Sequence, residues 1–200
     1  MSKRFVSQAR RRFLLESRVL PSALLLMAFG NAKPALAATP ACSDAHEPTP
    51  RQTAGPFFLP RSPKRTSLLE AGIGGTKVVL SGRVWSSQCQ PVPGALLDFW
   101  HADDAGEYDV DGFRLRGHQF ADGEGRYRLE TIVPGLYPGR TRHFHVNVQP
   151  PNGAVLTTQL YFPNEPRNAR DSLFDRRLLV ATGDEGGRKT ARFNFVLTLA

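Results

Sequence analysis

The chain has 200 residues, of which 40% are hydrophobic and 22% are charged, and this balance excludes a protein that is disordered throughout. Its 18 glycines and 16 prolines favour short strands joined by turns over long helices. The formal net charge of +8 is compatible with a nucleic-acid partner until the location of that charge is known.

Residues 1–37 have the features of an export signal. The basic patch Arg10-Arg11-Arg12 precedes an apolar stretch from Val19 to Phe29, and Ala35-Leu36-Ala37 predicts cleavage after Ala37. The arginines resemble a twin-arginine signal, and the alternative is an ordinary secretory signal with a basic start. The apolar stretch is too short for a stable membrane span. We therefore expect an exported protein, periplasmic or extracellular.

The same segment carries most of the net charge. Residues 1–37 contain seven Lys and Arg residues and one acid, Glu16, which leaves 19 basic against 17 acidic residues in the rest of the chain. The excess of positive charge therefore belongs to the export signal, and we expect no nucleic-acid partner.

The segment from residue 38 to 76 predicts an extended N-terminal arm, because it is rich in proline, polar and charged residues and has no sustained helical periodicity. Cys42 lies in this arm and Cys89 lies beyond it. Since export leads to an oxidising compartment, the two cysteines form either a disulfide or two unrelated thiols, and their spacing does not decide between these.

Residues 77–200 predict a single all-β domain. Short runs of β-branched and aromatic residues alternate with turns, which favours an antiparallel, transthyretin-like β-sandwich of seven or eight strands. The single helical signal runs from Asn168 to Leu173. The predicted strands cover residues 77–85, 95–100, 113–120, 125–132, 142–148, 158–162 and 190–199.

Two histidines, His143 and His145, occupy alternate positions of one predicted strand. Their imidazoles therefore project from one face, while Phe144 and Val146 project from the other. Imidazoles held on a rigid strand suit a metal ion. The alternative is a polar, exposed strand face.

Two tyrosines, Tyr108 and Tyr137, lie in loops that contain glycine. A phenolate is a hard anionic oxygen donor, and a hard cation such as Fe(III) can ionise a phenol far below its free pKa of about 10. Two phenolates and two imidazoles would give a ferric site of nearly neutral charge. The alternative is that each tyrosine anchors its loop through a hydrogen-bonded hydroxyl.

A series of motifs carries a family resemblance. In chain order, the main ones are Thr53-Ala54-Gly55-Pro56-Phe57, Trp100 to Tyr108, Asp122 to Tyr127, Thr131 to Tyr137, and Thr158 to Phe162. Together with Arg140 and the two histidines, they resemble the intradiol ring-cleavage dioxygenases, the group of protocatechuate 3,4-dioxygenase and catechol 1,2-dioxygenase. The resemblance extends over residues 45–198, nearly all of the predicted mature chain.

The resemblance implies a non-haem Fe(III) ion held by Tyr108, Tyr137, His143, His145 and a solvent hydroxide. It also implies that a catechol chelates the iron as a dianion, while Tyr137 leaves the metal and accepts a substrate proton. O2 then opens the ring between the two hydroxyl-bearing carbons, which gives a cis,cis-muconate.

The same resemblance assigns roles to residues around the metal. Arg140 would stabilise anionic character that develops on the ring and the oxygen, which suits its permanent charge. Gln159 would lie near the oxygen side. Gly55, Pro56 and Phe57 would line the substrate pocket.

Some positions depart from the family pattern or have no assigned role. Phe57 stands where many relatives have Tyr, which removes a hydroxyl that could meet a substrate carboxylate. His101 replaces a frequent Gln, and we interpret it as a neutral surface residue, with a role beside the metal ligands as the alternative. His118 and His46 are interpreted as ordinary polar positions. The substrate stays open among catechol, protocatechuate, hydroxyquinol and larger plant-derived catechols, and so does the oligomeric state, a homo-oligomer included.

Two other functions compete with an exported ferric dioxygenase. One is a non-catalytic transthyretin-like module that binds an aromatic or carbohydrate ligand, since a fold alone does not imply a function. The other is a copper-binding domain that uses His143 and His145, which leaves both tyrosines unexplained. The joint presence of the tyrosines, the histidines, Arg140 and Gln159 favours the enzyme.

Overall fold

The computed structural model describes residues 47–199. The export signal predicted at 1–37, with its cleavage after Ala37, lies outside the described residues, as do His46 and Cys42. The bridge between Cys42 and Cys89 therefore stays a prediction, although Cys89 itself is not a free thiol. No helix within residues 47–199 is long and apolar enough to cross a membrane.

The described residues form nine strands and two short 3₁₀ helices, which confirms the all-β class. The 3₁₀ helices are Pro166–Arg170, close to the predicted helical signal, and Arg176–Leu178. The strands are β1 (Lys77–Ser86), β2 (Leu96–Trp100), β3 (Arg116–Phe120), β4 (Arg126–Ile132), β5 (His143–Gln149), β6 (Leu156–Tyr161), β7 (Ala181–Glu185), β8 (Arg188–Arg192) and β9 (Phe195–Leu197).

The strands are arranged in two sheets. One has the order β4-β1-β8-β7, with β9 also paired to β1, and the other has the order β3-β2-β5-β6. Most neighbouring strands are antiparallel, but β1 is parallel to both β8 and β9. The first sheet is therefore mixed where a wholly antiparallel sandwich was predicted, because the chain re-enters it after β6 through the β7–β8 hairpin.

The C-terminal region differs most from the prediction. The single strand predicted over 190–199 is divided into β8 and β9, because Phe193 and Asn194 bond to neighbouring segments instead of continuing one ladder. The Phe193 carbonyl accepts from the Tyr127 hydroxyl at 2.9 Å, and Asn194 Oδ1 accepts from the Arg83 N–H at 2.9 Å. Strand β7 was not predicted, since its sequence Ala-Thr-Gly-Asp-Glu is exposed throughout and has no apolar alternation.

The hydrophobic core lies between the two sheets. Phe99, Phe144 and Leu160 contribute to it from adjacent strands of the second sheet, and each is fully buried. Burial of such a side chain contributes about 1.5–3 kcal/mol to the stability of the fold. Because side chains alternate along a strand, the residues next to these three project from the opposite face of the sheet.

The N-terminal arm begins against β9 of the first sheet, crosses the second sheet and then returns to the first. The Gln52 N–H donates to the Thr157 carbonyl of β6 at 2.8 Å, and the Arg65 N–H donates to the His118 carbonyl of β3 at 2.9 Å. The Leu68 N–H then donates to the Glu130 carbonyl of β4 at 2.8 Å. The arm therefore crosses the part of the molecule that carries the predicted site residues.

Candidate metal centre

One row of side chains crosses the second sheet on the face away from the core. The strand register aligns Arg116, Trp100, His145 and Gln159, one from each of β3, β2, β5 and β6. Directly opposed residues share a face of the sheet, so these four side chains lie side by side. The adjacent row contains His143, which is opposite Tyr161.

Three atoms of the kinds that bind metal ions, two imidazole nitrogens and a phenol oxygen, meet above this face. Nε2 of His143 lies 3.1 Å from Nε2 of His145 and 3.2 Å from the hydroxyl oxygen of Tyr108. Nδ1 of His143 lies 2.7 Å from the Thr141 carbonyl, an acceptor, so this nitrogen carries the proton and Nε2 presents a lone pair. Metal-bound histidines in proteins are oriented in the same way.

The environment keeps both imidazoles neutral. Burial, together with the positive charge of Arg140, lowers the pKa of His143 to about 4. Burial also holds the pKa of His145 well below its ordinary value, with His143 and Arg140 adding to the effect. A neutral imidazole is the form that binds a metal, so both side chains are ready to act as ligands at neutral pH.

Tyr108, unlike the histidines, must lose a proton before it can bind a metal ion as an anion. Burial raises the pKa of its hydroxyl above the ordinary value, and this outweighs the positive charges of Arg140 and Arg116, which lower it. The side chain is therefore a phenol in the metal-free protein. It becomes an anionic ligand only when a cation takes the place of its proton.

Tyr137 lies against Tyr108, and Phe57 of the arm contacts both rings. The centroids of the two tyrosine rings are 5.7 Å apart at an interplanar angle of 75°. Phe57 stacks on Tyr108 with centroids 4.4 Å apart and meets the edge of Tyr137 at 5.4 Å. Such pairs contribute about 0.5–1.5 kcal/mol each beyond the burial of their area, so Phe57 helps to hold both tyrosines.

Two glycines bring the tyrosine loops into backbone contact. The Gly135 N–H donates to the Asp103 carbonyl at 2.6 Å. Gly106 has a φ of +91°, and a Cβ atom at this residue would lie 2.5 Å from the Leu136 carbonyl oxygen. Only glycine permits this close approach, which fixes Tyr108 relative to Tyr137.

The arm covers the cluster formed by His143, His145 and Tyr108 at Gly55. This residue has a φ of +65°, and its Cβ position lies 3.5 Å from Cε1 of His145. Arg116, which is 2% exposed, donates from Nη1 to the Phe57 carbonyl at 2.6 Å and from Nε to the Asp109 carbonyl at 3.1 Å. One buried guanidinium thus ties the arm to the segment that follows Tyr108.

Arg140 belongs to a hydrogen-bonded network beside the cluster. Its Nη2 donates to Gln159 Oε1 at 2.6 Å, and its Nε donates to both oxygens of Asp171, at 2.9 and 3.1 Å. Gln159 in turn donates from Nε2 to the Thr53 carbonyl at 2.9 Å. The network therefore links the predicted Arg140 and Gln159 to the arm.

The interpretation of His101 as a surface residue is wrong. The side chain is 2% exposed and packs edge-on against Phe144 in the core, with ring centroids 5.0 Å apart. Its Nδ1 lies 2.7 Å from the Ala102 carbonyl, and its Nε2 lies 2.7 Å from the Thr131 hydroxyl. Burial lowers its pKa to about 4, so the residue is neutral as expected, but it stabilises the interior instead of facing water.

Four residues that surround the cluster have no role predicted from the sequence: Trp100, Arg116, Tyr161 and Asp171. Trp100 stacks on His145 with centroids 5.0 Å apart and an interplanar angle of 6°. Strand alternation could have placed Tyr161 on the face of Gln159, two residues before it. Asp171 has no such signal, since 31 positions separate it from Arg140.

Comparison with known proteins identifies the family of the chain. A protein-family model described as Dioxygenase matches residues 53–198, most of the chain. The chain belongs to the intradiol ring-cleavage dioxygenase family. The match begins in the arm, so the arm segment that contacts the cluster lies within the region that the family model matches.

Individual family members resemble the chain to different degrees. The dioxygenase domain of a dioxygenase carbohydrate-binding protein fusion from Streptomyces sp. SirexAA-E is 53% identical, with a TM-score of 0.75, and the match covers 77% of this chain and all of that one. The protocatechuate 3,4-dioxygenase beta chain of Burkholderia cepacia is 34% identical, over 62% of this chain and 65% of its own length. The hydroxyquinol 1,2-dioxygenase of Nocardioides simplex is 29% identical, over 84% of this chain and 62% of its own. The chain thus spans less than two thirds of the length of these two curated relatives.

Proposed function

We propose that this chain is an enzyme that cleaves the ring of a catechol-type substrate with O2 in the intradiol position and depends on non-haem ferric iron. One observation carries the proposal: two neutral imidazoles and a phenol meet within 3.2 Å, with Tyr137 against them and Arg140 beside them. Membership in the intradiol dioxygenase family supports it.

The donor set fits ferric iron. Tyr108, Tyr137, His143 and His145 would hold the ion, because two phenolates offset most of its charge and two neutral imidazoles complete the set. When bound, Fe(III) supplies the Lewis acidity that draws a catechol into its anionic form and makes the ring reactive towards O2. This role explains why a buried phenol, whose pKa is raised by burial, stands beside two histidines.

The surrounding residues bind, orient and exchange protons. The hydroxyl of Tyr137 makes no hydrogen bond to any of residues 47–199, so Tyr137, once ionised as a metal ligand, would be free to turn away and accept a substrate proton as a phenolate. Arg140 places a permanent positive charge beside the cluster, where it stabilises anionic oxygen, and Gln159 holds the guanidinium. Gly55 and Pro56 are exposed and form the rim through which a substrate enters, above Phe57.

The first experiment tests the ferric centre by its colour. The protein loaded with ferric salt is expected to be burgundy, since tyrosinate-to-iron charge transfer absorbs visible light. Tyr108→Phe and Tyr137→Phe should bleach or shift the band. Tyr127→Phe is the matched control, because this buried tyrosine donates to the Phe193 carbonyl in the core. A colourless protein that contains no iron would refute the proposal.

The second experiment tests the reaction. O2 uptake is measured with catechol, protocatechuate, hydroxyquinol and larger plant-derived catechols, and the products are identified. A cis,cis-muconate-type product is expected from at least one of them. A product of extradiol cleavage would reject the mechanism even if turnover occurred.

We also propose that the protein is exported, on the basis of the sequence pattern in residues 1–37. Expression of the full chain in a bacterium with a twin-arginine pathway should deliver a periplasmic protein whose N-terminus is Ala38. Replacement of Arg10 and Arg11 by lysine should block this export. An unprocessed protein that stays in the cytoplasm would contradict the proposal.

A further inference from the structure

Asp171 is the most deeply buried carboxylate beside the proposed site among the residues that the structure describes. Its side chain is 1% exposed, and each carboxylate oxygen has more than one donor. Oδ1 accepts from the Leu173 N–H at 2.9 Å, Oδ2 accepts from the Thr141 N–H at 2.9 Å, and both accept from Nε of Arg140. Burial alone would raise the pKa of Asp171, but these hydrogen bonds outweigh it and hold the pKa below the ordinary value, so the side chain is charged at neutral pH.

These contacts fix the plane of the Arg140 guanidinium. Nε and Nη2 lie on one edge of the group, and they are held at separate points by Asp171 and by Gln159. A planar group held at two points on one edge cannot rotate. Its remaining nitrogen, Nη1, makes no hydrogen bond within residues 47–199, so the fixed orientation leaves it for a ligand.

The same carboxylate also fixes the position of the Arg140 backbone. The Thr141 N–H, which bonds to Asp171, follows Arg140 directly and precedes β5, the strand of both histidines. Asp171 therefore joins the segment after the first 3₁₀ helix to Arg140, which carries the positive charge. A neutral residue in its place would leave a buried N–H unpaired and the guanidinium without a counter-ion.

We propose that Asp171 is a positioning residue of the reaction, which orients Arg140 so that its free nitrogen can contact the anionic substrate. The proposal rests on the function proposed above. Asp171 touches neither substrate nor metal and acts through Arg140 alone. A loss of orientation at such a position lowers activity on the order of 10-fold to 100-fold in comparable sites.

The kinetic test is a double-mutant cycle on the iron-loaded full chain. Asp171→Asn should lower kcat by about 10-fold to 100-fold, with an unchanged charge-transfer band in the absence of substrate. In an Arg140→Met background, the same substitution should cause no further loss of kcat. Independent losses that multiply would show a merely structural role and overturn the proposal. Asp171→Glu, which keeps the charge, should recover part of the activity.

Asp122→Asn is the control for the loss of a carboxylate charge beside backbone N–H groups. Asp122 Oδ1 accepts from the Glu124 and Arg126 N–H groups, in the turn between β3 and β4. This variant likewise exchanges a carboxylate that accepts from backbone N–H groups for a neutral amide, and we expect its kcat to be that of the parent protein. If it lowers kcat as much as Asp171→Asn does, the loss reflects general destabilisation and the proposal fails.

A second test uses the iron-free protein and does not depend on activity. With ¹⁵N-labelled arginine, the Nε–H resonance of Arg140 should exchange slowly with water in the parent protein, fast in Asp171→Asn and slowly in Asp122→Asn. Fast exchange in the parent protein would overturn the proposal whatever the chain catalyses. If exchange is slow but the loaded parent protein has no intradiol activity, the proposed function fails and the assignment of Asp171 to the reaction fails with it, while the orientation of Arg140 stands.

Discussion

The contact between the two tyrosine loops predicts a large effect of one methyl group. In Gly106→Ala, the new Cβ would lie 2.5 Å from the oxygen and 2.7 Å from the carbon of the Leu136 carbonyl. An ordinary contact begins near 3.4 Å, so the two backbones must separate by about 0.9 Å. The crowding costs about 1–3 kcal/mol. The φ of +91° adds about 1–2 kcal/mol for an alanine in a left-handed conformation.

Gly72→Ala separates these two costs. Gly72 has a similar φ of +78°, but no atom lies within 4 Å of its Cβ position. Gly72→Ala should therefore lose only the stability that the left-handed conformation costs, about 1–2 kcal/mol. Equilibrium unfolding of both iron-free variants in urea measures the difference, which reports the crowding between the loops.

The site provides the decisive measurement. Because Leu136 directly precedes Tyr137, the crowding in Gly106→Ala must displace one of the two tyrosine loops. We expect this variant to bind ferric iron more weakly and with a shifted charge-transfer band, while Gly72→Ala binds it normally. If the two variants unfold at the same urea concentration and bind iron with the same band, the loop contact does not position the tyrosines and the reasoning is wrong.

Three further predictions follow from buried groups around the site. The pKa of His101 is about 4 in the folded protein and about 6.5 in the unfolded chain. Its neutral form therefore stabilises the fold fully above pH 6.5, and about 3 kcal/mol of stability is lost as the pH falls to 4. His101→Gln should remove this part of the pH dependence of the free energy of unfolding, and an unchanged pH dependence would contradict the prediction. Arg116→Met leaves the Phe57 and Asp109 carbonyls without their charged donor and should cost about 3 kcal/mol in urea unfolding. Proteolysis of the arm should also become faster, and an arm that stays uncut would contradict the role of Arg116 in holding it. Since Tyr108 keeps its proton in the metal-free protein, iron affinity measured by competition with a chelator should rise with pH, and a flat profile would oppose this.

The strands that carry the site could be predicted because their signals are local. Residues 143–148 alternate between polar and apolar side chains, and the structure places Phe144 and Val146 in the core. It also brings Tyr108 to the two histidines and Tyr137 to Tyr108, as the family resemblance implies. Local alternation and ordered motifs were sufficient for these positions.

The remaining features depend on contacts between distant parts of the chain. Nothing near His101 in the sequence shows that Phe144 and Thr131 enclose it, so a polar side chain was assigned to the surface. Asp171 bonds to Arg140 across 31 positions, and its neighbours in sequence are polar. Strand β7 exists because β8 offers it a partner, not because its own residues alternate. In each case tertiary contacts override a weak local signal.

The charges around the cluster explain how one site can hold anionic ligands and remain stable without them. Arg116 and Arg140 place two permanent positive charges near Tyr108, and Asp171 offsets one of them. Burial nevertheless keeps Tyr108 protonated and His143 neutral, so the metal-free cluster carries no charge of its own. A cation that displaces the phenol proton thus creates the anionic ligand and the counter-charge together, which avoids the cost of an isolated buried charge. The arginine charge that remains then favours a second anion, the role we propose for the catecholate substrate.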